Sequence, residues 1–402
     1  MGFTAKYRNE IGLVVAIMAV ILFTLIFDQA YIDLPGLNIK TILQQTALLG
    51  VFSLGAAIVI IAGGIDLSSG SVIVFSGSIC TLVMLACSPV SYPSGPNNPG
   101  TAEMVDLGWS AVMLAIGVSV LVGLLIGTLH TWLITVIKLP PFVATLASLV
   151  GLRSLAKVLN PAFTEAMGLE RITTLNATSI RFGILSEWWV SVVVFLVLSL
   201  ACYVLMNHTV WGRHIYALGG NEEAARLSGI RTDRMKWAAY SIGAVTASIA
   251  GVLYVAKVGS VNPANMGVGY ELNAIAAAVV GGCSLRGGLG LIPGVMLGVL
   301  FLRVVIDSIN KVVDRGSDDF QGMIVGFLVV LAVAVNEYRR QGAGQRLAFF
   351  PGMLGVLMAI ILGVLIGAVV FVASSLTYGV IVGGVVFVLV NAARFAQRDT
   401  GS

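Results

Sequence analysis

Residues 41–62 read TILQQTALLGVFSLGAAIVIIA, an apolar run without one charged side chain, and residues 63–70 that follow it read GGIDLSSG. A helix rises 1.5 Å per residue, so about 20 apolar residues are needed to cross about 30 Å of hydrocarbon. The run has that length and the Gly63-Gly64 pair interrupts it, which predicts a membrane span followed by a turn. Further apolar windows lie at 11–27, 71–87, 109–137, 142–159, 188–206, 237–258, 271–283, 289–306, 320–335, 348–373 and 376–393. Two of them fit less well. Window 142–159 carries Arg153 and Lys157 four residues apart, on one helix face, and 271–283 is too short to cross alone.

Composition points the same way. Hydrophobic residues make up 58% of the 402, charged residues 10%, and the mean hydropathy is +0.98. Soluble domains carry about 25% charged residues. The expectation is an all-α polytopic membrane protein of about twelve spans, surrounded by lipid. A net charge of +4, scattered along the chain, is too small to suggest nucleic acid, and no nucleic-acid partner is expected. Cys80, Cys87, Cys202 and Cys283 lie in or beside apolar runs with no Cys-x-x-Cys pair, and read as small buried hydrophobes.

Loop charges orient the chain, because Lys and Arg stay on the cytoplasmic side. Lys6 and Arg8 place the amino terminus inside. Segments 28–40, 88–108, 160–187, 259–270 and 307–319 then fall outside, and each is neutral or acidic on balance. Segment 207–236, the turn with Arg286, Arg339-Arg340 with Arg346, and Arg394 with Arg398 fall inside, so both termini are expected to be cytoplasmic. The first apolar run lacks a small-x-small cleavage site and is read as a retained helix. Residues 88–108, with Pro89, Pro93, Pro96 and Pro99, read as a loop.

Two turns echo each other. Gly63-Gly64-Ile65-Asp66-Leu67-Ser68-Ser69-Gly70 and Gly281-Gly282-Cys283-Ser284-Leu285-Arg286-Gly287-Gly288 share a Gly-Gly-x-x-Leu-x-x-Gly frame on the same side, as parallel repeats or chance would give. Gly290, Gly294 and Gly298 are spaced to share one helix face, as are Gly123 with Gly127, Gly322 with Gly326, and Gly363 with Gly367. Such spacing lets backbones approach closely in lipid. Asp66 is the sharpest intramembrane residue. A carboxylate near hydrocarbon costs at least a few kcal/mol, so either Asp66 or Ser68 caps the next helix, or Asp66 gates or couples transport. Arg303 and Asp307, four apart, read as a neutralising pair.

Signs of catalysis are thin. His130, His208 and His214 have no metal-ligand spacing, no Ser or Cys sits in a nucleophile motif, and Glu222-Glu223 point about 100° apart on a basic loop. No catalytic residue, cofactor site or metal site is expected. No Gly-x-x-x-x-Gly-Lys-Ser/Thr loop is present to hold ATP, so energy must come from a partner or an ion gradient.

Segment 207–236 is polar, carries Arg213, Arg226, Arg231, Arg234 and Lys236, and contains Glu223-Ala224-Ala225-Arg226-Leu227-Ser228-Gly229. That spacing resembles the cytoplasmic loop by which membrane subunits of ATP-binding-cassette importers grip their ATPase. Three longer blocks, Gly63 to Ser71, Gly212 to Ile230 and Gly269 to Gly282, resemble the permease subunits of ribose and related monosaccharide importers of that class. The similarity runs from about residue 40 to 336. It implies a ten-helix permease core over 1–347, working as a homodimer in the inner membrane with cytoplasmic ATPase subunits and an external or periplasmic sugar-binding protein. It implies a simple sugar as cargo, ribose-like pentoses favoured, with xylose, galactose or signalling furanosides as alternatives. Glu223, Ala224, Ala225, Arg226 and Gly229 would then couple to the ATPase. Departures at Ser69, Cys283 and Arg286 are mild; the 88–108 insert is longer than usual, and 348–402 is expected to add a peripheral helical hairpin with a short cytoplasmic tail. An ion-coupled secondary transporter, with its ion at Asp66, is the rival outside this class. A membrane-embedded enzyme is disfavoured by the missing catalytic cluster.

Overall fold

A backbone in hydrocarbon must satisfy its own hydrogen bonds, so charge-free runs become helices. The computed structural model describes residues 8–27, 35–88, 107–169, 171–312, 321–328, 330, 333–334, 352–373 and 376–398. Its principal helices are α1 (Arg8–Phe27), α2 (Pro35–Ile61), α3 (Ser69–Cys87), α4 (Trp109–Thr135), α5 (Pro141–Ala166), α6 (Trp188–His208), α7 (Val210–Gly220), α8 (Glu222–Leu227), α9 (Thr232–Val258), α10 (Tyr270–Val280), α11 (Ile292–Val312), α12 (Gly352–Ala373) and α13 (Leu376–Arg398). Among the described residues, seven of them, α2 to α6, α9 and α11, are long and apolar enough to cross a membrane. The all-α polytopic class stands. Of the expected windows, 320–335 is described only in part, with residues 321–328 helical, and the loop 89–106 lies outside the described residues.

Two windows come out differently. Window 142–159 becomes a 26-residue helix, α5, opened by Pro141, whose fixed φ suits the first helical turn. Window 271–283 becomes α10, only 11 residues, which at 1.5 Å each spans about half the hydrocarbon. The missing half is chain that folds back. After α9 ends at Gly259 in the left-handed conformation (φ 74°), Ser260–Val261 pair antiparallel with Leu175–Asn176, and residues 262–269 form turns leading into α10. Tyr270, at the start of α10, stacks on Phe52 in the middle of α2, with centroids 6.0 Å apart. The first residue of α10 therefore stands at mid-height of a spanning helix.

Helix α2 is buried from Thr46 to Ile61 on every face, as an all-round apolar helix must be. Helix α9 lies against it and is rich in Gly, Ala and Ser, which lets three neighbours come close. A Cβ on Gly55 of α2 would stand 2.8 Å from Gly243 Cα, one on Gly77 of α3 2.7 Å from Val255, and one on Gly127 of α4 2.7 Å from the Tyr240 carbonyl.

The chain separates into two compact units, residues 1–333 and 334–402. In the second, α12 and α13 pack as a helix pair, with Gly363 against the Gly383 carbonyl and Phe387.

The glycine row read along α11 needs correcting. Gly294 and Gly298 do lie on the helix and press on the backbone of Gly281 and Ala277, at the end of α10. Gly290 precedes the first helical residue, Ile292, so it does not share their face. The Pro at 293, a first-turn residue, explains why the helix starts there and no earlier.

Candidate coupling surface and the polar interior

Segment 207–236 folds as two short helices between α6 and α9. Thr209 caps α7, its Oγ1 accepting from the Gly212 amide at 3.2 Å, and Asn221 caps α8, its Oδ1 accepting from the Ala224 amide at 3.0 Å. Both satisfy amides a helix start leaves open. Helix α8 ends in a paired C-cap: Ile230 N donates to Ala225 O at 3.1 Å and Gly229 N to Arg226 O at 3.0 Å, with Gly229 left-handed at φ 84°. That geometry is the reason a glycine stands at 229.

The charges of α8 form two ion pairs. Arg226 donates to Glu223 at 2.6 Å, and Lys236 of α9 to Glu222 at 2.6 Å. The Glu223 carboxylate, hydrogen-bonded to Arg226, raises the guanidinium's pKa above its ordinary value. Both members of the Glu223–Arg226 pair are exposed, so water screens it and it fixes orientation rather than stability. Leu227 is 80% exposed beside them. The two alanines part company: Ala224 is exposed, whereas Ala225 is buried against its own chain. Ala225 thus seats α8 on the protein, and of the two alanines read as coupling residues Ala224 is the exposed one.

Helix α7 carries this surface back to the membrane core. Tyr216 Oη donates to the Gly290 carbonyl at 2.7 Å. The last turn of α7 touches both glycine loops. A Cβ on Gly219 would fall on the Ile61 carbonyl oxygen and stand 2.6 Å from Gly288 N; one on Gly287 would stand 2.6 Å from Gly219 O and 2.7 Å from Gly63 Cα. Gly288 N itself donates to Ile61 O at 2.8 Å. The two echoing turns therefore meet, at the inner end of α7.

Asp66 lies in the first of these loops. Its Oδ1 accepts from both the amide (2.8 Å) and the hydroxyl (2.6 Å) of Ser68, just ahead of α3. Ser68 is thus a donor to Asp66 and makes no side-chain cap to α3, which begins at Ser69. Asp66 holds the turn; the helix amides are not its partners. Around it the spans bring together polar groups that the sequence left scattered. His130 Nε2 lies 2.8 Å from Ser148 Oγ, and Ser71 Oγ donates to Ser148 O at 3.1 Å. Arg153 donates to the carbonyls of Pro263 (3.0 Å) and Met266 (2.8 Å), clamping the turn before α10 onto α5. Glu271, in the first turn of α10, lies against Gly70 in the first turn of α3, so a carboxylate faces a helix amino terminus. His130, Arg153 and Glu271 escaped assignment because they lie in three separate apolar windows; their polarity in hydrocarbon was the available signal. At the far end of α11, Asp307 pairs with Lys311 at 2.5 Å. Among the described residues no three His, Cys, Asp or Glu side chains could hold a metal.

A family model described as the permease component of a branched-chain amino acid transport system matches residues 38–333. The ribose import permease protein of Escherichia coli is 33% identical over 310 residues, 76% of this chain and 86% of that protein. The ribose import permease protein of Bacillus subtilis is 31% identical over 333 residues, 82% and 93% of the two. The xylose transport system permease protein of Escherichia coli is 28% identical over 397 residues, 84% and 94%. No solved structure matches the chain.

Proposed function

Because the chain belongs to this family of transport-system permease components, we propose that it is the membrane subunit of an ATP-binding-cassette importer for a simple sugar. Ribose-like pentoses are the favoured cargo, since the ribose permeases of two bacteria are among its relatives; xylose, galactose or a signalling furanoside is the alternative. The ATPase is a separate cytoplasmic subunit, the sugar arrives on an external binding protein, and two permeases form the pore in the inner membrane. Both termini lie in the cytoplasm.

The observation that carries the reading is the built geometry of α8. A six-residue helix with side-chain capping at one end and a glycine cap at the other presents Glu223, Arg226 and Leu227 outward while Ala225 anchors it. A helix so short has too few hydrogen bonds to form by itself, so its caps and its seat on α9 hold it in shape for a protein partner. Binding energy released there as the ATPase closes becomes movement of α6 and α9, between which the segment hangs. Replacing Glu223 with Ala should leave membrane insertion intact and lower sugar uptake per ATP hydrolysed by about tenfold in vesicles containing the full complex. Uptake unchanged in that variant would remove α8 from the coupling path.

A further inference from the structure

From the meeting of α7 with the two glycine loops, we infer that Gly219 is the contact through which motion of the coupling segment reaches those two loops. The inference rests on the importer reading and adds the residue that transmits. Helix α8 is joined by the Lys236–Glu222 pair to the start of α9, the neighbouring stretch of chain. Gly219 instead touches distant chain on both sides. It fits between Ile61, the last residue of α2, and Gly288, in the loop that connects α10 to α11, and those two are themselves joined by the Gly288 N to Ile61 O bond.

Every surface in this contact is backbone. A Cβ at Gly219, Gly287 or Gly288 would overlap main-chain atoms of the opposite segment, at 2.6 to 2.8 Å or closer. Side chains absorb displacement by changing rotamer; a backbone-to-backbone contact has no such slack, so a shift of α7 moves both loops. Each loop leads to a helix start. The first runs through Asp66 and Ser68 to α3, whose first turn lies against Glu271 of α10, and the second joins α10 to α11. Tyr216 adds a second tie one turn earlier, through Gly290 O. Gly63, Gly287 and Gly288 are the glycines that let the two loops lie on one another and on Gly219.

Gly220, next in the chain, supplies the control. A Cβ there meets nothing within 4 Å. In vesicles holding permease, ATPase and binding protein, Gly219→Ala should cut sugar uptake per ATP hydrolysed by about tenfold while the ATPase still co-purifies, and Gly220→Ala should stay within about twofold of the unaltered protein. Equal uptake by the two variants overturns the inference. An unaltered permease that captures no ATPase overturns the importer reading instead, so the two failures are separable. Should Gly219→Ala not assemble, amide hydrogen exchange on the unaltered complex decides. Nucleotide binding should change exchange at 61–68 and 283–290 together with 216–229. A change confined to 216–229 would show that the loops do not receive the motion.

Discussion

At the scale of single residues, the permease uses polar side chains to fix turns that lipid cannot solvate. Asp66 accepts two hydrogen bonds from Ser68 in a buried turn. Removing a buried acceptor strands its donors, so Asp66→Ala should lose about 1–3 kcal/mol, read as a fall in the melting temperature of the detergent-purified protein. Asp66→Asn keeps an oxygen for the Ser68 amide and should lose less. Abolished uptake in a stable Asp66→Asn protein would give the carboxylate a gating role besides the turn. Gly229 obeys a different constraint, that of its backbone. With φ at 84° and nothing within 4 Å, the objection to a side chain is conformational and not spatial. Gly229→Val should therefore weaken the α8 cap by about 1–2 kcal/mol, seen as faster amide exchange over 222–230. Gly229→Asn should be milder, because Asn adopts the left-handed region more readily.

Elements are held by small residues placed where helices touch. Gly298 of α11 lies on the Ala277 carbonyl of α10, and no relaxation of a side chain can make room, since the obstacle is backbone. Gly298→Ala should destabilise the protein by about 1–3 kcal/mol. Gly117 of α4 has nothing within 4 Å, and Gly117→Ala should be neutral or stabilise by about 0.5–1 kcal/mol through helix propensity alone. Thermal unfolding of the pair separates packing from propensity. Helix spacing in the sequence could not tell these glycines apart. Gly290 fits the same four-residue period as Gly294 and Gly298, yet the helix starts after it. Periodicity describes a face only after the helix ends are known, and those depend on the turn that Ser284, Gly287 and Gly288 build with Ile61.

For the whole molecule, the division at residues 333 and 334 leaves the coupling segment, the glycine loops and the polar interior in one unit. We propose that the terminal hairpin is an accessory to that core. Deleting 347–402 should leave ATPase association unchanged by pull-down, and loss of association would make the hairpin part of the assembly. The membrane class, the places of most spans and the family resemblance were legible in the amino-acid order, because charge-free runs of about 20 residues have few alternatives to spanning helices. What lay beyond the sequence was every contact between distant segments. Residue order gave two Gly-Gly frames but not that they touch, and charged residues in separate windows but not that Arg153 clamps Pro263 and Met266 or that Glu271 faces Gly70. Local sequence sets which dihedrals a segment prefers; which segments become neighbours is decided by how whole helices fill space against one another, and only the tertiary structure holds that information.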